Sequence, residues 1–282
     1  MTTSGALTPN PSRRRPEVLV LQTLDKLSSV GLGAMAAALR DQLENPAQYL
    51  ELSFEDRLGL LVDREVDWRE NRRLATRLKA ARLRHTATVE DIDFRAPRGL
   101  ERGMILSLAQ AGWVANHQNL LITGATGCGK SFLACALAHA AVRQGHTALY
   151  VRTPRLLDDL AVSRGDGRYQ RLLAQLQRTS LIVLDDFLLT PAGVEQCRDL
   201  LEVVEDRAQL RSTLVASQLP IDAWHGAMAD PTLAEAILDR LLHQGHRIAV
   251  KGPSMRARDP DGAASPAPSS ATGGSRRGGI SR

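Results

Sequence analysis

Aromatic side chains are scarce, at 4% of the chain, and only three cysteines are present. The basic stretches carry few aromatics, so stacking on single-stranded bases is not indicated. Cys128, Cys135 and Cys197 are odd in number, and their spacing suits neither zinc nor a disulfide framework. They fit a reducing cytosol, and a cytoplasmic location is expected. No run approaches the roughly eighteen apolar residues of a membrane span, so no membrane partner is expected. Arg13-Arg14-Arg15 lacks a following apolar segment with a small-residue cleavage site, so no secretory signal is read. No internal repeat is found.

What is present suits a folded, mildly basic protein. Hydrophobic residues make up 43%, enough for a packed core, and the net charge of +5 permits a polyanionic partner without establishing one. The length of 282 residues has room for one sizeable domain and a smaller one.

The chain is organised around Leu120 to Ser131. Leu120, Leu121 and Ile122 read as a buried strand. Gly124-Ala125-Thr126-Gly127-Cys128-Gly129-Lys130-Ser131 then fits the phosphate-binding loop G-x-x-x-x-G-K-[ST], and an alanine-rich helix follows to a stop at Gly145. Glycines let the backbone turn so that its N–H groups face phosphate oxygens. Lys130 brings positive charge to the β- and γ-phosphates, Ser131 offers a hydroxyl to Mg²⁺, and the helix N-terminus adds its dipole. Cys128 reads as a small residue at a variable loop position.

Strand and helix alternate beyond the loop. Strands are expected at 148–151, 181–184, 213–216 and 248–250, with helices at 154–162, at about 168–178, at 192–210 and at 231–243. This order predicts a parallel sheet covered on both faces. Leu181-Ile-Val-Leu184-Asp185-Asp186 is an apolar strand ending in two acids, about 55 residues after the loop, the arrangement of a Walker B segment. Asp185 is the expected Mg²⁺ residue, and Asp186 the residue that orients or deprotonates the attacking water. Thr213-Leu-Val-Ala-Ser217-Gln218 ends the next strand in two polar side chains, and Gln218 is assigned a sensing or water-positioning role. Arg240 lies on an amphipathic helix, where a surface arginine and an arginine finger reaching a neighbouring subunit are both open.

Upstream, apolar residues recur at helical spacing from Leu19 to about Leu43, until Asn45-Pro46 breaks the pattern. A second helical unit starts at Ser53 and runs to about Leu83, with Glu55 and Asp56 in its first turn. Its later part is basic: Arg69, Arg72, Arg73, Arg77, Lys79, Arg82 and Arg84 are candidate phosphate-backbone contacts for duplex DNA. The expected division is a disordered 1–18, a helical unit 19–92, a nucleotide-binding domain 93–256, and a disordered Ala/Pro/Ser/Gly-rich tail 257–282.

These segments together resemble the AAA+ ATPases of the DnaC/IstB group, and in particular the IstB-type helpers of insertion-sequence transposition. The resemblance rests on Leu52-Ser-Phe-Glu-Asp-Arg-Leu58, the basic stretch, Glu90-Asp-Ile-Asp-Phe94, Arg98-Gly-Leu100, Trp113, the loop and Asp185-Asp186-Phe187. It continues through Ser212-Thr-Leu-Val-Ala-Ser-Gln-Leu-Pro-Ile-Asp-Ala-Trp224, Ala236-Ile-Leu-Asp-Arg-Leu-Leu-His243 and Lys251-Gly-Pro-Ser-Met-Arg256. It implies a P-loop AAA+ fold (α/β) with a small all-α N-terminal domain. It also implies an ATP- and Mg²⁺-using ATPase that oligomerises on duplex DNA and recruits or activates a DDE-type transposase. Gln218 would then be the first sensor, Arg240 the trans-acting finger, and Arg256 a candidate second sensor. Asp186 stands where many relatives carry Glu, and Leu188 where Gly is common. The alternatives are a DnaC-like helicase loader, a small-molecule kinase, for which no Arg-bearing lid is found, and a clamp that binds ATP without hydrolysing it.

Overall fold

The computed structural model describes residues 14–252 together with 254 and 255, and the strand–helix alternation from Leu120 onward forms a five-stranded sheet. The N-terminal segment before residue 14, the C-terminal tail and Arg256 lie outside the described residues. The strands are β1 (Leu120–Gly124), β2 (Ala148–Arg152), β3 (Leu181–Phe187), β4 (Ser212–Ser217) and β5 (His246–Val250). All pair in parallel, in the order β2-β3-β4-β1-β5. The order sets β4 between β1 and β3, so whatever follows β4 lies between the ends of its two neighbours.

The strands were legible because both faces of the sheet are buried, which makes each a near-continuous apolar run. Side chains still alternate between faces. Leu120 and Ile122 join Val183, Leu214 and Ile248 in one core. Leu121 joins Ile182, Leu184 and Val215 in the other. The first core is covered by α6 (Lys130–Arg143) and α4 (Arg102–Ala109). The second is covered by α7 (Thr153–Asp166), α8 (Tyr169–Arg178), α9 (Val194–Glu205) and α10 (Pro231–Leu242). A one-turn helix, α5 (Gly112–Ala115), carries Trp113 into the first core.

The N-terminal apolar pattern forms two helices instead of one: α1 (Arg14–Ser29) and α2 (Gly33–Glu44). Gly31 breaks them apart with φ +80°, and Leu32 N–H closes the turn on the Leu27 carbonyl at 2.8 Å. Helix α3 (Phe54–Ala81) then runs for 28 residues, roughly 42 Å at 1.5 Å per residue. Ser53 and Asp56 close its capping box: Asp56 N–H donates to Ser53 Oγ at 3.1 Å, and Ser53 N–H donates back to the Asp56 carboxylate. The helix ends at Arg82, whose backbone is left-handed at φ 50°. Its first half packs on α2. Its second half packs on α6 and β2 and inserts Leu74, Leu78 and Ala81 into the first core. One helix therefore belongs to both parts of the molecule. Among the described residues no helix is long and apolar enough to cross a membrane.

Candidate nucleotide site

The loop between β1 and α6 turns on three glycines with positive φ: Gly124, Gly127 and Gly129. Two could not carry a side chain. A Cβ on Gly124 would stand 2.1 Å from the Val250 carbonyl oxygen, and one on Gly127 2.2 Å from Ser254 Oγ. Gly129, at φ 96°, is the N-cap of α6, so the helix starts under the loop with its free N–H groups facing it. Lys130 is 7% exposed, and its Nζ donates to the Ala125 carbonyl at 2.8 Å. Cys128 is fully buried in the first core, which accounts for a small residue there. The result is a cradle built for an anion, with a lysine bound to the loop itself.

The cleft over this loop has a volume of ≈ 330 Å³ and is lined by Thr126, Lys130, Ser131, Asp186 and Gln218 among others, within the ordinary range of small-molecule sites. Expected site residues from two strand ends and the loop thus converge. Gln218 is fixed by Thr126, whose Oγ1 donates to its Oε1 at 2.6 Å.

The two acids of β3 are set by a break in pairing. The β3–β4 register shifts between Leu184 and Phe187, and Asp186 adopts φ 53°. Asp185 is 1% exposed. Its Oδ1 accepts from Asp186 N–H at 2.9 Å, and its Oδ2 accepts from the Tyr150 hydroxyl. Burial first, and then the Asp185 bond, push the Tyr150 hydroxyl well above its usual range, so it remains a donor. Asp186 is held by Arg152, Nε to Oδ2 at 2.8 Å. Leu188 follows with φ 52°, a left-handed backbone that explains why glycine suits this position. Its side chain joins the second core.

The segment after β4 secures this arrangement. Ser217 Oγ donates to the Phe187 carbonyl at 2.8 Å and accepts from Leu219 N–H at 3.1 Å. Trp224, fully buried, stacks obliquely on Phe187 at 4.9 Å, and its Nε1 donates to the Leu219 carbonyl. The Ser-Gln-Leu-Pro…Trp pattern therefore has a physical role: it pins Gln218 between the loop and the acids.

Arg240 is not brought to this cleft. It occupies the last turn of α10, at the opposite end of the sheet from the loop, where Nε donates to Glu205 and Nη1 to the Ala236 carbonyl at 2.9 Å. The Asn119 side chain locks that turn: its Nδ2 donates to the carbonyls of Arg240 and Leu241, and its Oδ1 accepts from Thr213 N–H.

The basic stretch divides. Arg72, Arg73, Lys79 and Arg82 are exposed, with Arg72 5.0 Å from the Trp68 ring. Arg69 pairs with Glu65 and donates to the Gly31 carbonyl. Arg77 is half-buried. Arg84 lines the nucleotide cleft, its Nη1 3.9 Å from Asp185 Oδ2. Tyr150, Arg152, Asn119 and the placement of Arg84 were not foreseen from sequence.

No group of three or more His, Cys, Asp or Glu side chains suited to a metal occurs among the described residues. A magnesium ion beside a nucleotide takes much of its coordination from phosphates and needs only one or two protein oxygens. Ser131, which lines the cleft, offers a hydroxyl for that need, and Asp185, buried behind Arg84 of the cleft wall, a carboxylate.

Known proteins resemble this chain in sequence and fold. The model of the family described as "IstB-like ATP binding protein" matches residues 25–263. An insertion-sequence ATP-binding protein of Sinorhizobium fredii, y4pL, is 48% identical over 239 residues, covering 85% of this chain and 97% of its own length. The ATP-binding protein of insertion sequence IS1162 from Pseudomonas fluorescens is 47% identical, covering 72% of this chain and 88% of the relative. Among solved structures, DnaI shares the fold with a TM-score of 0.52 at 19% identity, over 59% of this chain and 92% of that one. The P-loop, the five-stranded parallel sheet with β4 between β1 and β3, and this match over most of the chain agree: the chain belongs to the IstB-like ATP-binding family of insertion-sequence proteins, built on an AAA+ fold.

Proposed function

We propose that the protein is an ATP-hydrolysing helper of transposition that oligomerises on duplex DNA and recruits or activates a DDE-type transposase at the target. The observation that carries hydrolysis is the wedge made by β4. Gln218 is bonded to Thr126 of the loop, and its strand is tied through Ser217 to the end of the strand bearing Asp185 and Asp186. A site meant only to hold nucleotide has no need of a polar residue fixed between the phosphate loop and two carboxylates.

Each residue then has a role. The loop amides of Gly124 to Gly129 cradle the phosphates, and Lys130 leaves the Ala125 carbonyl for the β- and γ-oxygens. Ser131 and Asp185 hold Mg²⁺, which when bound would withdraw charge from the phosphate oxygens. Asp186, steadied by Arg152, orients or deprotonates water, and Gln218 fixes that water in line. Arg240, remote from its own cleft, serves the cleft of a neighbouring copy, which makes turnover depend on assembly. Arg72, Arg73, Lys79 and Arg82 form the exposed basic surface for DNA phosphates, with Arg69 and Arg77 at its margins. The buried free cysteines agree with a cytoplasmic setting.

The test is ATP turnover by the purified protein with and without duplex DNA across a salt titration. Stimulation that fades as salt rises is expected, because each phosphate contact releases counterions. Turnover indifferent to DNA, with no DNA retention at low salt, would remove the basic surface as a DNA site.

A further inference from the structure

The expected basic stretch ends in a residue that lines the nucleotide cleft. After Arg82 turns the chain with a left-handed backbone, Arg84 points into the nucleotide cleft, beside Lys130 and Ser131. Its Nη1 lies 3.9 Å from Asp185 Oδ2. That distance is an ion pair but too long for a hydrogen bond, so the guanidinium is near the carboxylate without being locked to it. The side chain remains 41% exposed, and its hydrogen-bonding partner is the Tyr150 hydroxyl that also donates to Asp185, a contact it would exchange for a phosphate. Asp185 already has Tyr150 and the Asp186 amide as hydrogen-bond donors and does not need Arg84 for satisfaction.

We propose that Arg84 is a further phosphate-contacting residue of the nucleotide site, acting within its own chain, and that it makes the end of α3 sensitive to whether a triphosphate is bound. This inference rests on the reading of the cleft as an ATP site. With a divalent cation held at Asp185, the Arg84 guanidinium would lose that carboxylate as its anionic neighbour and would turn to the terminal phosphate oxygens. A planar guanidinium suits phosphate oxygens in a way that a lysine does not. The position of Arg84 in the chain carries the second part of the proposal. Leu83 and Ala81 pack in the first core beside Leu78 and Leu74, so a shift at Arg84 is felt directly by the last turns of α3. The same helix displays Arg72, Arg73 and Lys79. One element thus joins the phosphates in the cleft to the exposed basic surface.

The test uses the full chain with Arg84→Gln, which keeps the size and polarity but removes the charge, and with Arg84→Lys. Affinities for a non-hydrolysable ATP analogue and for ADP are measured by calorimetry with magnesium present. Amide hydrogen exchange of residues 74–83 is followed with each nucleotide. Arg84→Gln is expected to weaken the triphosphate analogue about tenfold, the worth of one charge-assisted hydrogen bond, and to change ADP affinity less than threefold. Arg84→Lys should recover part of the loss. Wild-type α3 should gain exchange protection with the analogue but not with ADP, and Arg84→Gln should abolish that difference. Equal losses for both nucleotides, or none for either, would overturn the assignment, as would α3 exchange indifferent to nucleotide in the wild type. If the wild type binds neither nucleotide, the reading of the cleft itself falls, and that outcome is distinct from a change confined to the variant.

Discussion

The two halves of the molecule are held together by different forces. From Leu120 on, every strand contributes buried apolar residues to one core or the other. Between residues 18 and 80 only Leu24, Ala36 and Leu61 are buried apolar side chains, while Leu50 and Phe54 are 77% and 74% exposed. The N-terminal helices rely instead on polar joints. The start of α2 has no cap from its own residues; Glu65 of α3 supplies one by accepting from the amides of Ala34 and Met35, each at 3.0 Å. Gln42 exchanges hydrogen bonds with Arg57 across the same helix pair. The difference teaches where change is cheap. A dense two-sided core keeps the nucleotide residues in register, whereas helices joined by a few polar contacts open at low free energy. Such helices also leave apolar surface of the kind that partner proteins cover.

The sharpest way to break this comparison is at the nucleotide end. Arg240→Ala should lose about a thousandfold in turnover yet keep nucleotide affinity within roughly twofold, because the residue is remote from its own cleft. Lys130→Ala should lose nucleotide binding itself. Equal loss of binding in both variants would refute a finger acting between copies.

A smaller effect is expected at the joint between helices. The hydrogen bond from Met35 N–H, with those from Arg69 and Ala34, holds the Glu65 carboxyl below the usual carboxylate range. A carboxylate with a depressed folded pKa stabilises the fold above its unfolded pKa, and this contribution is lost as pH falls through the folded value. The protection of the Ala34 and Met35 amides, as exchange rate relative to the intrinsic rate at each pH, should therefore fall on acidification in the wild type. In Glu65→Gln that protection should already be low at neutral pH and should change less with pH. Unchanged exchange in the variant would mean that α2 is held by packing after all. The smallest effect should come from the exposed cations: Arg72→Ala or Arg73→Ala should weaken duplex binding for all sequences alike, lowering the salt slope by about one. Sequence-selective loss would point to base contacts.

The nucleotide half was the more legible from sequence, and for the same physical reason that it is the more rigid. Parallel strands buried on both faces are written as apolar runs, and a phosphate loop demands glycine, lysine and serine in fixed order. Features that depend on three-dimensional return of the chain were not legible. Leu27 and Leu32 carry the apolar pattern across Gly31, hiding the break between α1 and α2. Tyr150 lies within an apolar strand and reads as core until Asp185 is seen beside its hydroxyl. Arg84 reads as one more basic residue because nothing in its neighbours announces the left-handed turn at Arg82. Asn119 is an isolated amide whose partners lie in α10 and β4.

The pairing of β1 also sets the order in which the molecule can be made. Its two neighbours, β4 and β5, lie far along the chain: 94 residues separate Asn119 from Thr213, and 128 separate Gln118 from His246, partners at the starts of the three strands. A nascent chain emerging from the ribosome therefore carries a finished glycine loop with no sheet to hold it until β4 has been synthesised, and the Val250 carbonyl that crowds Gly124 arrives later still. Such non-local closure is slow. The capacity to grip phosphate is thus among the last properties this polypeptide acquires during its synthesis.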